Sequence, residues 1–216
     1  MSYTYKVLVI DDNRDMSLNF EPYMDFLQDE GYFTKFDLVS SNVEFKSINV
    51  LDYDILMVDY NLKQGFFSNS NNSMGTDFLR TFRKENRVSK IIFYSSEFTY
   101  DKDNRTNNQI RLSPTEIFQL INDFKVDFIV PKNNFNLVVK TIGECINDLD
   151  VIAKLLINLS QKFEGDDEHL IYSSPDGKDF TVKELLRGYL SDSDDGRQFR
   201  EQLLSTVATV LFKYEY

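Results

Sequence analysis

Tyr53 to Leu62 reads YDILMVDYNL. Ile55, Leu56, Met57 and Val58 are four apolar residues in succession, the pattern of a strand buried on both faces. Asp59 follows where such a strand should end. Ligands of open parallel sheets bind outside the carboxyl ends of the strands, so an acid there has a rigid base and an accessible tip. A strand-ending Asp serves equally well to cap the next turn, and the functional reading therefore needs partners elsewhere.

The ends of other candidate strands supply them. Lys6 to Ile10 (KVLVI) runs into Asp11 and Asp12, Lys90 to Tyr94 (KIIFY) into Ser95 and Ser96, and Asp127 to Val130 (DFIV) into Pro131 and Lys132. If these strands are parallel, three carboxylates, a hydroxyl and an ammonium meet on one edge. Clustered carboxylates oppose each other's ionisation, and a hard divalent cation such as Mg²⁺, which takes oxygen ligands and keeps several waters, relieves that conflict. Carboxylates also act as nucleophiles toward phosphorus. A lysine can pair with the resulting phosphoryl group and a serine can donate a hydrogen bond to it.

The ordered set VLVIDDN, ILMVDYN, IIFYSS and FIVPK resembles the response-regulator receiver domain of two-component signalling, over roughly residues 5 to 150. The resemblance implies an α/β fold, a (βα)5 doubly wound parallel five-stranded sheet of the flavodoxin-like receiver type. It implies Asp59 as phosphoacceptor, with Asp12 as a direct Mg²⁺ ligand and Asp11 holding the metal mainly through water. Asn61 would offer its backbone carbonyl to the metal. Ser95 would be the switch hydroxyl and Lys132 the phosphoryl-pairing lysine, with a histidine kinase or phosphotransfer protein as partner. The last motif departs from the family pattern: Ile129 stands where an aromatic is usual, and Pro131 precedes Lys132 rather than following it.

The 216 residues suit one domain with an extension or two small ones. A net charge of −11 argues against a nucleic-acid-binding surface, which is usually basic. One cysteine, Cys145, excludes an intramolecular disulfide framework. No apolar run has the length of a membrane span, and MSYTYK at the start lacks a signal-peptide core. A cytoplasmic protein with no membrane partner is expected.

Residues 13 to 31 predict a first helix ended by Gly31. Pro22 either kinks a helix begun at Asn13 or sits in the first turn of one begun near Asn19. Phe33 to Leu38 predicts the second strand, Val43 to Leu51 a short helix, and Thr76 to Asn86 a third helix with Phe78, Leu79 and Phe82 inward. Two polar insertions depart from the family. In residues 63 to 73, Phe66 and Phe67 are either a lid over the site or part of a passive loop. Residues 97 to 113 end at a fresh helix start, where Ser113, Pro114 and Glu116 have the spacing of a capping box with proline in the first turn. That helix is expected to reach about Phe124.

From Asn134 to Phe163 the positions Val138, Ile142, Cys145, Leu149, Ile152, Leu156, Leu159 and Phe163 alternate spacings of four and three, a heptad seam on one long helix. Its first half would be the receiver's fifth helix. Its second half needs a partner, either a second copy through self-association over 138–163 or the chain's own tail. Residues 165 to 178 read as a linker containing His169, and 164 to 216 as a small all-α element. In it Thr181 and Glu184 form a capping box, Ser191 to Gly196 an acidic turn, and Gln198 to Tyr214 a last helix with Phe199, Leu203, Val207, Val210 and Leu211 inward. Residues 151 to 216 hold eight Lys and Arg against twelve Asp and Glu, too acidic for a recognition helix on DNA.

These readings predict a phosphoacceptor regulator whose output is a protein–protein interaction or a change of oligomeric state. It would not be an enzyme, beyond assisting its own phosphorylation and dephosphorylation. Two alternatives remain open, a phosphate sink for a kinase and a constitutive interaction module on a degenerate receiver fold. A haloacid-dehalogenase-like phosphatase is disfavoured, because Asn61 stands where that chemistry wants a second Asp.

Overall fold

The computed structural model describes residues 3–62, 75–99, 112–163 and 170–213. It divides into two units, Met1–Arg83 with Ser89–Leu149, and Lys84–Val88 with Asp150–Tyr216.

The first unit is built on strands β1 (Thr4–Ile10), β2 (Phe33–Val39), β3 (Ile55–Asp59), β4 (Lys90–Ser95) and β5 (Phe128–Pro131). All pair in parallel, in the order β2-β1-β3-β4-β5. This is the flavodoxin-like order, one of the two common doubly wound arrangements. The apolar runs are buried on both faces, and alternate residues enter opposite cores. Val7, Val9, Ile55, Met57, Ile92 and Tyr94 pack with Tyr23 and Leu27 of α1 (Phe20–Asp29) and with Val138, Ile142 and Cys145 of α5 (Phe135–Asn147). Leu8, Ile10, Leu56, Val58, Ile91 and Phe93 pack with Phe78, Leu79 and Phe82 of α3 (Gly75–Glu85) and Leu120 of α4 (Pro114–Asn122). Between β2 and β3, α2 is short (Asn42–Ser47) and capped by the Ser41 hydroxyl, with a single 3-10 turn (Val50–Asp52) after it.

Local signals explain the helix ends. Residues Arg14–Asn19 form a 3-10 segment and α1 begins only at Phe20, so Pro22 lies in its first turn, where a missing N–H is tolerated. Gly31 ends it with φ +91°. Ser113 and Glu116 form the reciprocal capping box at the start of α4. Arg83, buried, donates to the carbonyls of Phe124, Lys125 and Ser89 at 2.6, 2.8 and 2.7 Å, satisfying acceptors where α4 turns toward β5 and just before β4 begins.

Several expectations for the carboxy-terminal third need correction. The helix from Asn134 to Phe163 is two helices, α5 and α6 (Val151–Lys162). Asp148 is the C-cap of α5 and pairs with Lys90, while the Asp150 carboxylate accepts from the N–H groups of Ile152 and Ala153 at 2.9 and 3.0 Å. Two aspartates with cap geometry overrode the heptad count. Val138, Ile142 and Cys145 are buried in the first unit and Leu156 in the second, so the seam over 138–163 is not one continuous helical face. In the second unit α6 packs on α7 (Val182–Leu190), as the tail alternative had it.

That unit is also not all-α. The presumed linker contains an antiparallel hairpin of β6 (Leu170–Ser173) and β7 (Asp179–Thr181). Its turn is closed by Gly177 N–H donating to Ser174 C=O at 2.9 Å, with Gly177 at φ +84°. The Thr181–Glu184 capping box starts α7. The final helix α8 spans Asp194–Lys213, four residues earlier than expected, and Val207, Val210 and Leu211 are exposed rather than inward. His169 and Tyr214 fall outside the described residues. Among the described residues no helix is long and apolar enough to cross a membrane.

Candidate functional site

The strand order reverses at β1 and β3, since the chain leaves β1 for β2 on one side and then builds β3, β4 and β5 on the other. Such a switch point is where doubly wound sheets place their ligands. Val9 pairs with Met57 and Ile10 with Val58, so the next step of that register sets Asp11 beside Asp59. Oxygens of Asp11, Asp12 and Asp59 all lie within 4.8 Å of one another. Asp11 and Asp59 are buried and Asp12 is half-buried.

The two buried carboxylates are held differently. Asp11 accepts from the Asn13 N–H at 2.9 Å through Oδ1. Its Oδ2 accepts from the Tyr94 hydroxyl at 2.6 Å and pairs with Lys132 Nζ, also at 2.6 Å. Asp59 lies 4.0 Å from the same Nζ. Burial pushes the Asp59 carboxyl up to about 7; Lys132 and the Tyr60 N–H pull it down, while the charges of Asp11 and Asp12 raise it further. The neighbourhood is therefore short of positive charge at Asp59.

Lys132 follows the edge strand β5, and its backbone N–H donates to the Ser95 carbonyl at 2.9 Å, fixing where its side chain departs. Ser95, fully buried, pairs in register with Pro131, and its Oγ accepts from the Glu97 N–H at 3.1 Å. Asn61 is exposed two residues past Asp59. Gly75, the first residue of α3, packs so tightly that a Cβ there would lie 2.2 Å from the Asp59 carbonyl oxygen. The possible lid residues Phe66 and Phe67 lie outside the described residues, as do 100–111 of the second insertion.

Tyr94 was not among the residues singled out from sequence. Its phenol is fully buried, and burial together with Asp11 holds its proton well above the ordinary range, so it acts as a donor. Lys132 Nζ stands 5.5 Å from the centre of its ring. A signal was present: a tyrosine closing a buried strand needs a partner for its hydroxyl, and Asp59 pairs with Tyr94 across β3 and β4. Paired residues face the same side of a sheet, which is the side of the acids.

The donor set suits a hard divalent cation. It offers oxygens only, from three carboxylate groups, and the charges of Asp11 and Asp12 add to the burial that raises the Asp59 carboxyl. Asp11, Asp12 and Asp59 would hold the cation.

No protein-family description matches the chain and no curated protein resembles it in sequence. Solved structures align with it in part of its fold. A receiver domain protein (CheY-like) from Methanospirillum hungatei JF-1 is 15% identical, covering 67% of this chain and 95% of that one at a TM-score of 0.44. A response regulator receiver protein from Pseudomonas putida is 17% identical over 67% and 99%, with a TM-score of 0.41. The signal receiver domain of a modulated diguanylate cyclase from Desulfovibrio desulfuricans G20 is 17% identical over 67% and 95%, with a TM-score of 0.43. These are likenesses of fold. On its own strand order the first unit has the flavodoxin-like doubly wound fold, with its acids at the switch point.

Proposed function

We propose that the first unit is a phosphoacceptor. An ionised Asp59 oxygen attacks phosphorus in a phosphohistidine of a kinase or phosphotransfer protein. The imidazole nitrogen leaves with the electrons of the P–N bond, and Asp59 carries the phosphoryl group as an acyl phosphate. Asp11, Asp12 and Asp59 would hold Mg²⁺, which would supply neutralising charge for the phosphoryl oxygens. Lys132 then pairs with the group as a point charge, and the Ser95 hydroxyl turns from Glu97 N–H to donate to it. The chain assists its own phosphorylation and dephosphorylation but acts on no other substrate. Its output is a protein–protein contact or a change of association, in keeping with an acidic surface that disfavours nucleic acid.

The observation that carries this reading is one buried acid, Asp59, flanked by two more acids and by Lys132 Nζ at 4.0 Å, at the switch point of the sheet. Intact mass after incubation with acetyl phosphate and Mg²⁺ tests it. One phosphoryl adduct is expected, absent in Asp59→Asn. An adduct that persists in Asp59→Asn would remove the assignment. Size-exclusion elution of the same samples distinguishes controlled association, which shifts it, from a phosphate sink, which does not.

A further inference from the structure

We propose that Tyr94 is a positioning residue whose hydroxyl keeps the Asp11 carboxylate fixed while Lys132 moves from Asp11 to the phosphoryl group. The inference rests on the phosphoacceptor reading and adds to it a residue on which the pocket's metal affinity depends.

The geometry assigns the role. Lys132 Nζ is 2.6 Å from Asp11 and 4.0 Å from Asp59, so in this arrangement the lysine is committed to Asp11. Pairing with a phosphoryl group on Asp59 requires that it leave. Asp11 is fully buried, and a buried carboxylate stripped of a donor is costly. Tyr94 shares the very oxygen that Lys132 vacates, with a hydroxyl 2.6 Å away. The Asn13 N–H holds the other oxygen at 2.9 Å. One oxygen thus has a mobile donor and a fixed one.

Tyr94 is fixed because its ring is fully buried on β4, in the core with Met57, Ile92, Val130 and Val138. A lysine has four flexible torsions, while a buried tyrosine has two that the core locks. The Lys132 ammonium also stands over this ring, 5.5 Å from its centre, so the same side chain underlies the lysine and aims the acid. Partners of metal-binding carboxylates are what orient them, and losing one typically weakens metal binding by tenfold or more.

The bland account is that Tyr94 is a core aromatic whose hydroxyl merely needs an acceptor. It predicts lost thermal stability and unchanged metal affinity. Mn²⁺ titration of the full chain, followed by electron paramagnetic resonance of the free ion, separates the two. Tyr94→Phe keeps the ring and should weaken Mn²⁺ binding roughly tenfold. Tyr53→Phe is the control: it removes a hydroxyl bonded at 3.1 Å to Asp37, a carboxylate outside the cluster, and should leave the affinity unchanged. Replacing Tyr94 by 4-aminophenylalanine restores a donor on the same ring and should restore binding.

Equal affinity of Tyr94→Phe and the unaltered chain overturns the inference alone, provided the unaltered chain binds Mn²⁺ and takes the phosphoryl group. An unaltered chain that does neither overturns the phosphoacceptor reading, and this inference with it. Should Tyr94→Phe not fold, the unaltered protein still decides. The slowly exchanging hydroxyl proton of Tyr94 should remain visible by proton magnetic resonance when Mg²⁺ is added, and its disappearance would show that Asp11 abandons Tyr94.

Discussion

The two units solve opposite packing problems. In the first, α5 covers a sheet and buries seven of its residues, Val138, Val139, Thr141, Ile142, Gly143, Cys145 and Ile146. In the second, the longer α8 buries one, Gly196, and Leu204, Val207, Val210, Leu211 and Phe212 are exposed. Both helices carry an apolar repeat. Periodicity states which face is apolar; only an opposing surface makes that face a core. The difference matters for function, because the first unit's rigidity is what lets it hold carboxylates close together without collapse of their geometry.

Each unit holds a glycine where backbones nearly touch, and replacing it should cost more than any other change considered below. A Cβ on Gly75 would meet the Asp59 carbonyl oxygen at 2.2 Å and Val58 Cγ1 at 3.0 Å. On Gly196 it would meet the Gly188 carbonyl oxygen at 2.4 Å, where α7 and α8 cross. Neither neighbour is a flexible side-chain end, so backbone must shift, at about 3 kcal/mol each. The two should part in function. Gly75→Ala displaces the acceptor's own peptide group and should lose both stability and the phosphoryl adduct. Gly196→Ala should lower the melting temperature and leave the adduct on Asp59 intact. An adduct of normal yield in Gly75→Ala would mean that the Asp59 backbone tolerates displacement, and the rigid-frame account would fail.

A smaller effect separates the units by pH. In EDTA, Asp59 carries a folded-state pKa of about 7 against an ordinary 3.8. Burial is the main cause, Asp11 and Asp12 add to it, and Lys132 and the Tyr60 N–H oppose it; the Tyr94 phenol stays protonated throughout. The folded state therefore holds a proton that the unfolded chain releases above pH 4. Stability contributed by this group is full below about pH 4, declines as pH rises, and is gone above about pH 7, a loss on the order of 2 kcal/mol between pH 5 and pH 8. Denaturant unfolding at the two pH values checks it. Asp59→Asn should flatten the slope, and Mg²⁺ should stabilise the unaltered chain more at pH 8, where protons compete less. A slope unchanged in Asp59→Asn would place its source elsewhere.

The first unit was the more legible because its signals are short-range and mutually reinforcing. Four apolar runs each had a polar residue within two positions of their ends, and the parallel topology alone was enough to gather those ends. Asp11, Asp12 and Asp59 meet as their strands require, and Lys132 joins them. What stayed hidden depends on register. The Tyr94 bond to Asp11 joins residues 83 apart in the chain, and becomes visible only once β3 and β4 are aligned. The heptad seam breaks where Asp148 caps the end of α5 and Asp150 caps the start of α6, because apolar spacing does not register a cap between two helices. Ser174-Pro175-Asp176-Gly177 is a turn sequence with proline second and glycine last, and it belonged to a hairpin. Reading it as a linker ignored the Tyr172 and Phe180 side chains that it brings together, with ring centres 5.7 Å apart.

The smallest effect bears on that difference most directly. Leu211 is 64% exposed on α8, so Leu211→Ala removes little buried surface and should change stability by less than about 0.5 kcal/mol. Truncating a buried leucine costs about 2 to 5 kcal/mol. Chemical denaturation at two protein concentrations tests this without assuming what α8 meets. A near-zero change at both means that the apolar face of α8 stands in solvent, as described. A loss of a kilocalorie or more that grows with protein concentration means that another copy covers it, because only association makes stability depend on concentration. A loss independent of concentration means that the chain itself covers Leu211 in solution. In either of the last two cases the contrast between α5 and α8 would lie in what covers each helix, not in whether it is covered.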